Sequence, residues 1–526
     1  MAFGIVCVFV TVSIFWTWHA FAAGEQPPGP DRFTVVTQDY TSYDWWLTSW
    51  SDNVVACSIN IDHEGLPTAG EVFTVCGKTI YDKWISTSPC PADESCIGYY
   101  LQLIKTEPAQ RKVGVNLPPP VVWVSLDGCV PFNSSFRCDA LPTLVLTGEE
   151  PVDGEYITGI TGRMDGTSFT CDAVCQVDLA PTSDVGMFLE FWANSSYGDS
   201  SVLFEARVRV VASDDPTDTT WFVDVLSTQW QGAPLAGCSQ TWDVFPPVGG
   251  VPTWLSTPSS ADDLATNIPY EYLAANLIKQ GITDASACAD RGLLDSGMVS
   301  TCGMEAARKE VTVWQNRFDG LIFTAAQNTN IPARVLKNIF SRESQFWPSA
   351  NDGHKEAGLG QMTNDGADTT LLWNQPFYEQ FCPSVLEDGV CGQGYTQLSN
   401  DHQETLRNAL VSSVNALCPD CEMGIDLNRT ENSVGIFAEI LLANCAQTGM
   451  IVHNTYGGAA GVSATYEDLW RFTLVNYHAG PGCLTLAIWE TKRRAEPLDW
   501  EHLSSHLTPV CQGALDYVTY ISAVSP

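Results

Sequence analysis

The sequence predicts a multidomain protein with β-rich, sandwich-like N-terminal domains and a mainly α-helical C-terminal domain. The chain has 526 residues, which is too long for one ordinary core. Up to about residue 232, short runs rich in Val, Thr, Tyr and Trp alternate with Gly, Pro, Asp and Asn, a pattern typical of strands. Beyond residue 260, apolar residues recur at helical spacing. The predicted segments are a signal peptide or anchor at 1–23, a β-rich domain at 24–116, a β-sandwich-like domain at 117–232, a linker at 233–260 and a helical domain at 261–526.

The first residues form an apolar stretch from 4 to 22 that ends in Ala20-Phe21-Ala22. This pattern is typical of a secretory signal peptide with a small-residue cleavage site. No Lys or Arg precedes it, so an uncleaved N-terminal anchor, associated with a membrane or cell surface, remains the alternative. Both predict a secreted or cell-surface, extracytoplasmic location. No later stretch is expected to span a bilayer.

The cysteine content agrees with export. Of 19 cysteines, one lies within the apolar leader, and an even number remains for disulfides. The CxxC formed by Cys418 and Cys421 has no second CxxC and no nearby His pair, so a structural bridge is favoured over a zinc site. Sequence alone cannot fix the connectivity, but neighbouring cysteines suggest the pairs Cys90/Cys96, Cys129/Cys138, Cys171/Cys175, Cys288/Cys302, Cys382/Cys391 and Cys483/Cys511.

The formal net charge is −36, and acidic residues outnumber basic ones in both halves of the chain. This argues against nucleic acid as a partner, because phosphate binding needs a basic surface. It does not indicate electrostatic attraction to an anionic polymer either. A solvated acidic surface on an exported protein is the simplest interpretation.

In the β-rich half, strand-like runs include 33–36, 54–61 and 99–104 in the first domain and 121–126, 141–147, 156–160, 175–179, 187–193 and 201–212 in the second. The aromatic residues between Tyr43 and Trp50 fit either a sugar-stacking platform or the core of a small β-domain. The core is the favoured interpretation.

In the helical half, predicted helices cover 261–280, 303–328, 405–417, 433–448, 466–477, 482–491 and 513–524, with a further helix after Ile331. Pro332 suits the first turn of that helix, and its apolar face ends in Glu343. Burial disfavours the charged carboxylate, so it would raise the pKa of Glu343 toward neutral pH, where the group could act as an acid. An ordinary ion pair with Arg342 or Lys337, or a carboxylate in water, is the alternative.

Three motifs, which follow one another along the chain, indicate a catalytic role for this helix. They are Glu343-Ser344, the turn Gly358-Leu359-Gly360-Gln361, and Asn-Tyr-His-Ala-Gly-Pro-Gly at 476–482. Together they resemble the catalytic domain of the soluble lytic transglycosylases, relatives of goose-type lysozyme, from about residue 315 to the C-terminus. The resemblance implies a lysozyme-like fold, no cofactor, and peptidoglycan glycan strands as the substrate. It also implies cleavage of the MurNAc-β-1,4-GlcNAc bond with formation of 1,6-anhydro-MurNAc.

Residue by residue, the resemblance makes Glu343 the single general acid and base, with Ser344 as its neighbour. Gly358 and Gly360 would let the backbone approach the saccharide, and Gln361 would hydrogen-bond it or orient the acid. The family commonly has Met where this chain has Gly360, while Met362 follows the glutamine, so the packing beside the sugar is in question.

The remaining family positions lie near the C-terminus. Tyr477 matches the family tyrosine, and His478 stands where Asn is usual. The late tyrosine is best matched by Tyr517, with Tyr520 as a rival. A phenol at that place could hold the carboxyl by a hydrogen bond.

Two other functions remain open. A hydrolytic lysozyme or chitinase-type glycosidase would need a second carboxylate, for which Asp352 and Glu356 are candidates beside His354. A cell-surface carbohydrate-binding or adhesion protein with a vestigial catalytic domain is the second, although the intact Glu343 and Gln361 argue against it.

Overall fold

β-Sheets form the N-terminal part of the chain and helices form the C-terminal part, as the sequence predicts. The computed structural model describes residues 32–87, 98–132, 135–213, 219–233, 235–348 and 356–523. These residues divide into two compact units. One contains the described residues up to Val121, with Glu150–Ile157 and Asn194–Val202, and the other contains Val122–Glu149, Thr158–Ala193 and the chain from Leu203 onward. The second unit therefore includes most of the larger sheet together with the helices of the C-terminal part.

The first unit is built on a three-stranded antiparallel sheet of order β2-β1-β3, with β1 at Phe33–Ser49, β2 at Val55–Ile61 and β3 at Tyr99–Asn116. A helix absent from the sequence prediction, α1 (Ala69–Ile85), follows β2. Thr68 and Glu71 form a capping box at its start, which overrides the strand-like composition of the next residues. Gly77, with φ of 76°, interrupts the helix.

The aromatic cluster of β1 is divided between the two faces of this sheet. Tyr43 and Trp45 pack against a small core that includes the fully buried Leu47. Trp46 is exposed, because successive side chains of a strand point to opposite faces, and Trp50, just after the end of β1, is exposed as well. The cluster thus contributes both to the core and to an exposed surface.

The larger sheet has eight strands in the order β4-β5-β11-β10-β9-β6-β7, with β8 paired to β5. Within the described residues, hydrogen bonds join these strands into one connected sheet. Alternate residues of β9 are buried, as expected for a strand with one face in a core. The strands are β4 (Val121–Phe132), β5 (Ser135–Glu149), β6 (Ile157–Met164), β7 (Thr167–Cys171), β8 (Val174–Asp178), β9 (Met187–Ser195), β10 (Phe204–Ala212) and β11 (Trp221–Leu226).

The segment expected to be a linker, 233–260, is packed into the helical core. It contains α2 (Ser239–Trp242) and a 3-10 turn at Thr253–Leu255. Trp242 is fully buried, and its Nε1 donates to the carbonyl oxygen of Cys445 at 2.8 Å. Burial of such apolar side chains, together with the Cys238–Cys445 disulfide, fixes the segment despite its Gly, Pro, Ser and Thr content.

The remaining helices share one core. The predicted helix 303–328 is two helices, α4 and α5, which meet near Phe318. The helices are α3 (Glu271–Lys279), α4 (Thr301–Asn316), α5 (Asp319–Thr329), α6 (Ala333–Ser344), α7 (Asn364–Trp373), α8 (Gln375–Phe381), α9 (Asp388–Cys391), α10 (Asn400–Val414), α11 (Leu427–Tyr456), α12 (Ala460–Ser463), α13 (Tyr466–Arg493), α14 (Trp500–Ser505) and α15 (Gly513–Ala523), with 3-10 turns at Ala261–Leu264, Cys382–Ser384, Tyr395–Gln397 and Pro509–Cys511.

Two long helices form the centre of this region. By length and composition α11 could cross a membrane, which corrects the expectation that no later stretch could do so. Of its most apolar window, 61% is buried inside the fold, as in the core helix of a globular region. α13 joins the two helices predicted at 466–477 and 482–491, and it is interrupted at Gly480, with φ of 81°, before Pro481.

Eight disulfides occur among the described residues, which is consistent with an extracytoplasmic location. Two of them, Cys57–Cys76 and Cys238–Cys445, were not among the predicted neighbours. The suggested Cys90/Cys96 pair lies outside the described residues. The confirmed pairs are Cys129–Cys138, Cys171–Cys175, Cys288–Cys302, Cys382–Cys391, Cys418–Cys421 and Cys483–Cys511.

Candidate active site

Glu343 lies in the last turn of α6, at the edge of the buried face that the sequence predicts. Gln345 and Phe346 end the helix with left-handed backbone conformations, at φ of 48° and 62°. Asn338 Nδ2 donates to the carbonyl oxygen of Ile521 on α15 at 3.0 Å, which fixes α6 against the C-terminal helix. The Glu343 side chain is therefore held on a rigid element and is only partly exposed.

The carboxyl of Glu343 titrates near neutral pH. Burial raises its pKa to about 7, and the negative charge of Glu356 adds to this effect. The Tyr517 phenol and the Arg342 charge act in the opposite direction and favour the carboxylate. A carboxyl with a pKa near 7 is present in both forms at neutral pH, so it can both donate and accept a proton.

The ion pairs considered as alternatives do not form. Lys337 is buried and donates to the carboxylate of Asp319 at 2.7 Å, away from Glu343. The Arg342 guanidinium lies over the ring of Tyr520, 5.3 Å from its centroid. Among the described residues, no cation lies within ion-pair distance of Glu343.

Ser344 connects the end of α6 to the glycine-containing turn. Its Oγ donates to the carbonyl oxygen of Leu359 at 2.8 Å. Ala357 and Met362 pair through two backbone hydrogen bonds of 3.0 and 2.8 Å, so residues 358–361 form the turn between them. Gln361 has a left-handed backbone, and its Nε2 donates to the carbonyl oxygen of Gly358 at 2.7 Å. The turn is therefore held firmly beside the carboxyl-bearing helix end.

Both glycines of the turn are required by packing. A Cβ on Gly360 would lie 2.5 Å from the ring of Phe437 and 2.7 Å from Tyr477 Oη. Gly358 has φ of +78°, and a Cβ there would lie 2.7 Å from the carbonyl oxygen of Val414. Both glycines and Met362 are buried. Phe437 belongs to α11, so the packing of this helix explains why a small residue stands at position 360.

Two tyrosines lie near Glu343. Tyr477 Oη donates to the carbonyl oxygen of Gly360 at 2.6 Å, which links α13 to the turn. Tyr517, on α15, is almost fully buried, and its Oη forms no hydrogen bond of ordinary geometry. Burial and the nearby Glu343 charge raise the pKa of both phenols, so both keep their protons. Catalytic hydrogen bonds are often long in unliganded sites, and the Tyr517 phenol is close enough to affect the carboxyl.

His478 completes the aromatic group. Its ring stacks on Tyr517 at a centroid distance of 4.3 Å and an angle of 12°. Burial and the Arg342 charge lower the pKa of the imidazole, which favours the neutral form. The rival Tyr520 shares a hydrogen bond of 2.6 Å with Ser341, on another side of α6. Of the two tyrosines, Tyr517 is therefore the one that lies beside Glu343.

The fold thus gathers four separate stretches of sequence around one partly buried carboxyl. Sequence reasoning missed Phe437, which shapes the turn, because it is one of many apolar residues of α11. Asp352 and His354 lie outside the described residues. No group of His, Cys, Asp and Glu suited to a metal ion occurs in the described part of the chain.

Comparisons of this chain with models of protein families, with curated proteins and with solved structures found no match. Its function must therefore be inferred from the chemistry of the site.

Proposed function

We propose that this protein is an exported lytic transglycosylase with a lysozyme-like helical domain. It cleaves the MurNAc-β-1,4-GlcNAc bond of peptidoglycan glycan strands and forms 1,6-anhydro-MurNAc. The observation that carries the proposal is the convergence of Glu343, the turn at 358–361, Tyr477 and Tyr517 at one place. These residues are far apart in sequence, and they match the three motifs and the late tyrosine of the resemblance.

In the first step, protonated Glu343 donates its proton to the glycosidic oxygen. The bond between this oxygen and C1 of MurNAc breaks, GlcNAc leaves as the alcohol, and positive charge develops at C1. A carboxyl whose pKa is raised to about 7 retains the required proton at neutral pH. The step leaves Glu343 as a carboxylate.

In the second step, the Glu343 carboxylate accepts the proton of the C6 hydroxyl of MurNAc. The hydroxyl oxygen forms a bond to C1 and closes the anhydro ring, and the protonated carboxyl is restored. No water is consumed, because an intramolecular hydroxyl has a high effective concentration. One carboxyl therefore suffices for both proton transfers.

The neighbouring groups support the charged state between the two steps. The Tyr517 phenol already favours the Glu343 carboxylate and would donate a hydrogen bond to it as negative charge develops. His478 stacks on the Tyr517 ring and would hold it in place. Gln361 and Tyr477 lie on the turn and beside it, where they would position the saccharide.

One observation favours a second candidate, a hydrolytic lysozyme. The charge of Glu356 raises the pKa of Glu343, so the two carboxyl groups are within electrostatic reach. If Glu356 activated a water molecule, the product would carry a reducing end. The two candidates share Glu343 and differ in the role of Glu356.

The test compares the release of soluble muropeptides from purified peptidoglycan by the wild-type protein, Glu343→Gln, Glu356→Gln and the control Glu404→Gln. Glu404 is an exposed carboxylate on α10. We expect loss of release only for Glu343→Gln. Equal loss for Glu356→Gln would favour hydrolysis, and full activity of Glu343→Gln would refute both candidates.

A further inference from the structure

A cavity of about 870 Å³ lies apart from the Glu343 site, between the larger sheet and the first turn of α13. Its walls are mostly apolar and include Val185, Phe245, Val462 and Leu498. A cavity of this size can hold a small organic ligand. Two arginines of β10, Arg207 and Arg209, also line it.

These arginines are almost fully buried, at 6% and 5% exposure. Arg209 donates through Nε and Nη2 to the buried carboxylate of Asp224, at 2.9 and 2.5 Å. Arg207 forms an ion pair with Asp243, in which Nη2 lies 2.9 Å from the Asp243 carboxylate. Both guanidinium groups also lie over the ring of Phe245, 4.8 and 4.9 Å from its centroid.

Part of each guanidinium remains unsatisfied. Arg207 Nε is buried and has no hydrogen-bond partner. Neither Arg207 nor Arg209 uses its Nη1 in a hydrogen bond to any described residue. Burial and the nearby Arg209 charge lower the pKa of Arg207, and the charge of Asp243 opposes this shift. Unpaired donors of a buried cation are costly, and an anion in the cavity would remove that cost for the two Nη1 groups.

The described acidic residues around the cavity do not accept hydrogen bonds from these unpaired Nη1 groups. Glu467 pairs with Arg471 at 2.6 Å, and Asp499 pairs with His502. Asp468 accepts from Thr465 Oγ1 and from the backbone of Trp500, and Asp184 is exposed. The first turn of α13, which also lines the cavity, adds the positive end of a long helix.

We propose that this cavity binds a small molecule that carries a carboxylate on an apolar group. The carboxylate accepts hydrogen bonds from the free Nη1 groups of Arg207 and Arg209, and the apolar group packs against Phe245 and Val462. Because the cavity is separate from Glu343, this proposal does not depend on the proposed reaction.

The experiment uses calorimetric titration of the full-length protein with benzoate, and with benzamide as the uncharged match. Val462 lines the cavity and is 74% exposed, so Val462→Glu adds a negative charge there without disturbing a core. We expect benzoate to bind more tightly than benzamide, and Val462→Glu to weaken benzoate binding about five- to tenfold through charge repulsion. Val462→Gln removes the apolar contact without adding a charge, so it should weaken the binding of benzoate and benzamide equally.

A second variant, Arg207→Gln, should abolish the preference for benzoate over benzamide. Glu343→Gln should bind benzoate like the wild type, which separates this site from the proposed active site. The proposal is overturned if benzoate does not bind at about 10 mM, if benzamide binds equally well, or if Val462→Glu has no effect.

Discussion

Replacing Glu343 with glutamine should make the folded protein more stable at high pH. The pKa of Glu343 is raised from 4.5 to about 7, chiefly by burial, so the native state binds the proton more tightly than the unfolded chain does. The contribution of Glu343 to the free energy of unfolding therefore decreases as the pH rises from about 4.5 to about 7 and is constant above that range. Glutamine is neutral throughout and lacks this dependence.

The size of the effect follows from the pKa. At about 1.4 kcal/mol per pH unit, the difference between 4.5 and about 7 corresponds to about 3 kcal/mol. Glu343 is partly exposed, and solvent screening reduces this to an expected value of about 2 kcal/mol. The stability of Glu343→Gln relative to wild type should increase by this amount between about pH 4 and about pH 8.

Urea unfolding with the disulfides intact, at both pH values, measures this difference. Glu404→Gln serves as the control, because its carboxylate is exposed on α10, and its stability relative to wild type should vary little with pH. If Glu343→Gln behaved like this control, Glu343 would titrate as an ordinary surface carboxyl. The physical basis for its action as an acid at neutral pH would then be lost.

Three further predictions concern activity and the scaffold. Because Glu343 must start protonated, kcat/KM should fall about tenfold per pH unit above about pH 7. Glu356→Gln should move this decline to lower pH, because the Glu356 charge raises the pKa of Glu343. An unchanged pH profile would contradict this influence of Glu356. Gly360→Ala should destabilise the protein by about 1–3 kcal/mol in urea unfolding and reduce peptidoglycan cleavage, because its Cβ would lie 2.5 Å from an aromatic ring; normal stability would show that the turn is looser than described. Replacing Cys238 and Cys445 together with serine should cost about 2–5 kcal/mol, since their disulfide closes a loop of 207 residues; an unchanged urea midpoint would show that packing alone fixes the segment.

The sequence predicts the helix that carries Glu343 because the signal is local. Apolar residues at helical spacing define one buried face, and the carboxyl lies at its end. The same spacing predicts the burial that is the main cause of the raised pKa of Glu343. The contact between this helix and the turn at 358–361 is not local, and only the order of the motifs suggested it.

Elements determined by distant contacts were missed. The segment 233–260 has the composition of a linker, but Trp242 is buried among residues far away in sequence and binds the carbonyl oxygen of Cys445. The requirement for a small residue at position 360 also comes from a residue that is distant in sequence. Its close contact with Phe437 depends on the path of α11, which local sequence patterns do not describe.

The most direct test of the proposed reaction is mass spectrometry of peptidoglycan fragments produced in oxygen-18-labelled water. A lytic transglycosylase consumes no water, so we expect anhydro fragments that contain no label and that disappear with Glu343→Gln. These fragments would be lighter than the corresponding reducing-end products by the mass of one water. Reducing-end fragments that carry the label would contradict the account and assign the Glu343 site to hydrolysis.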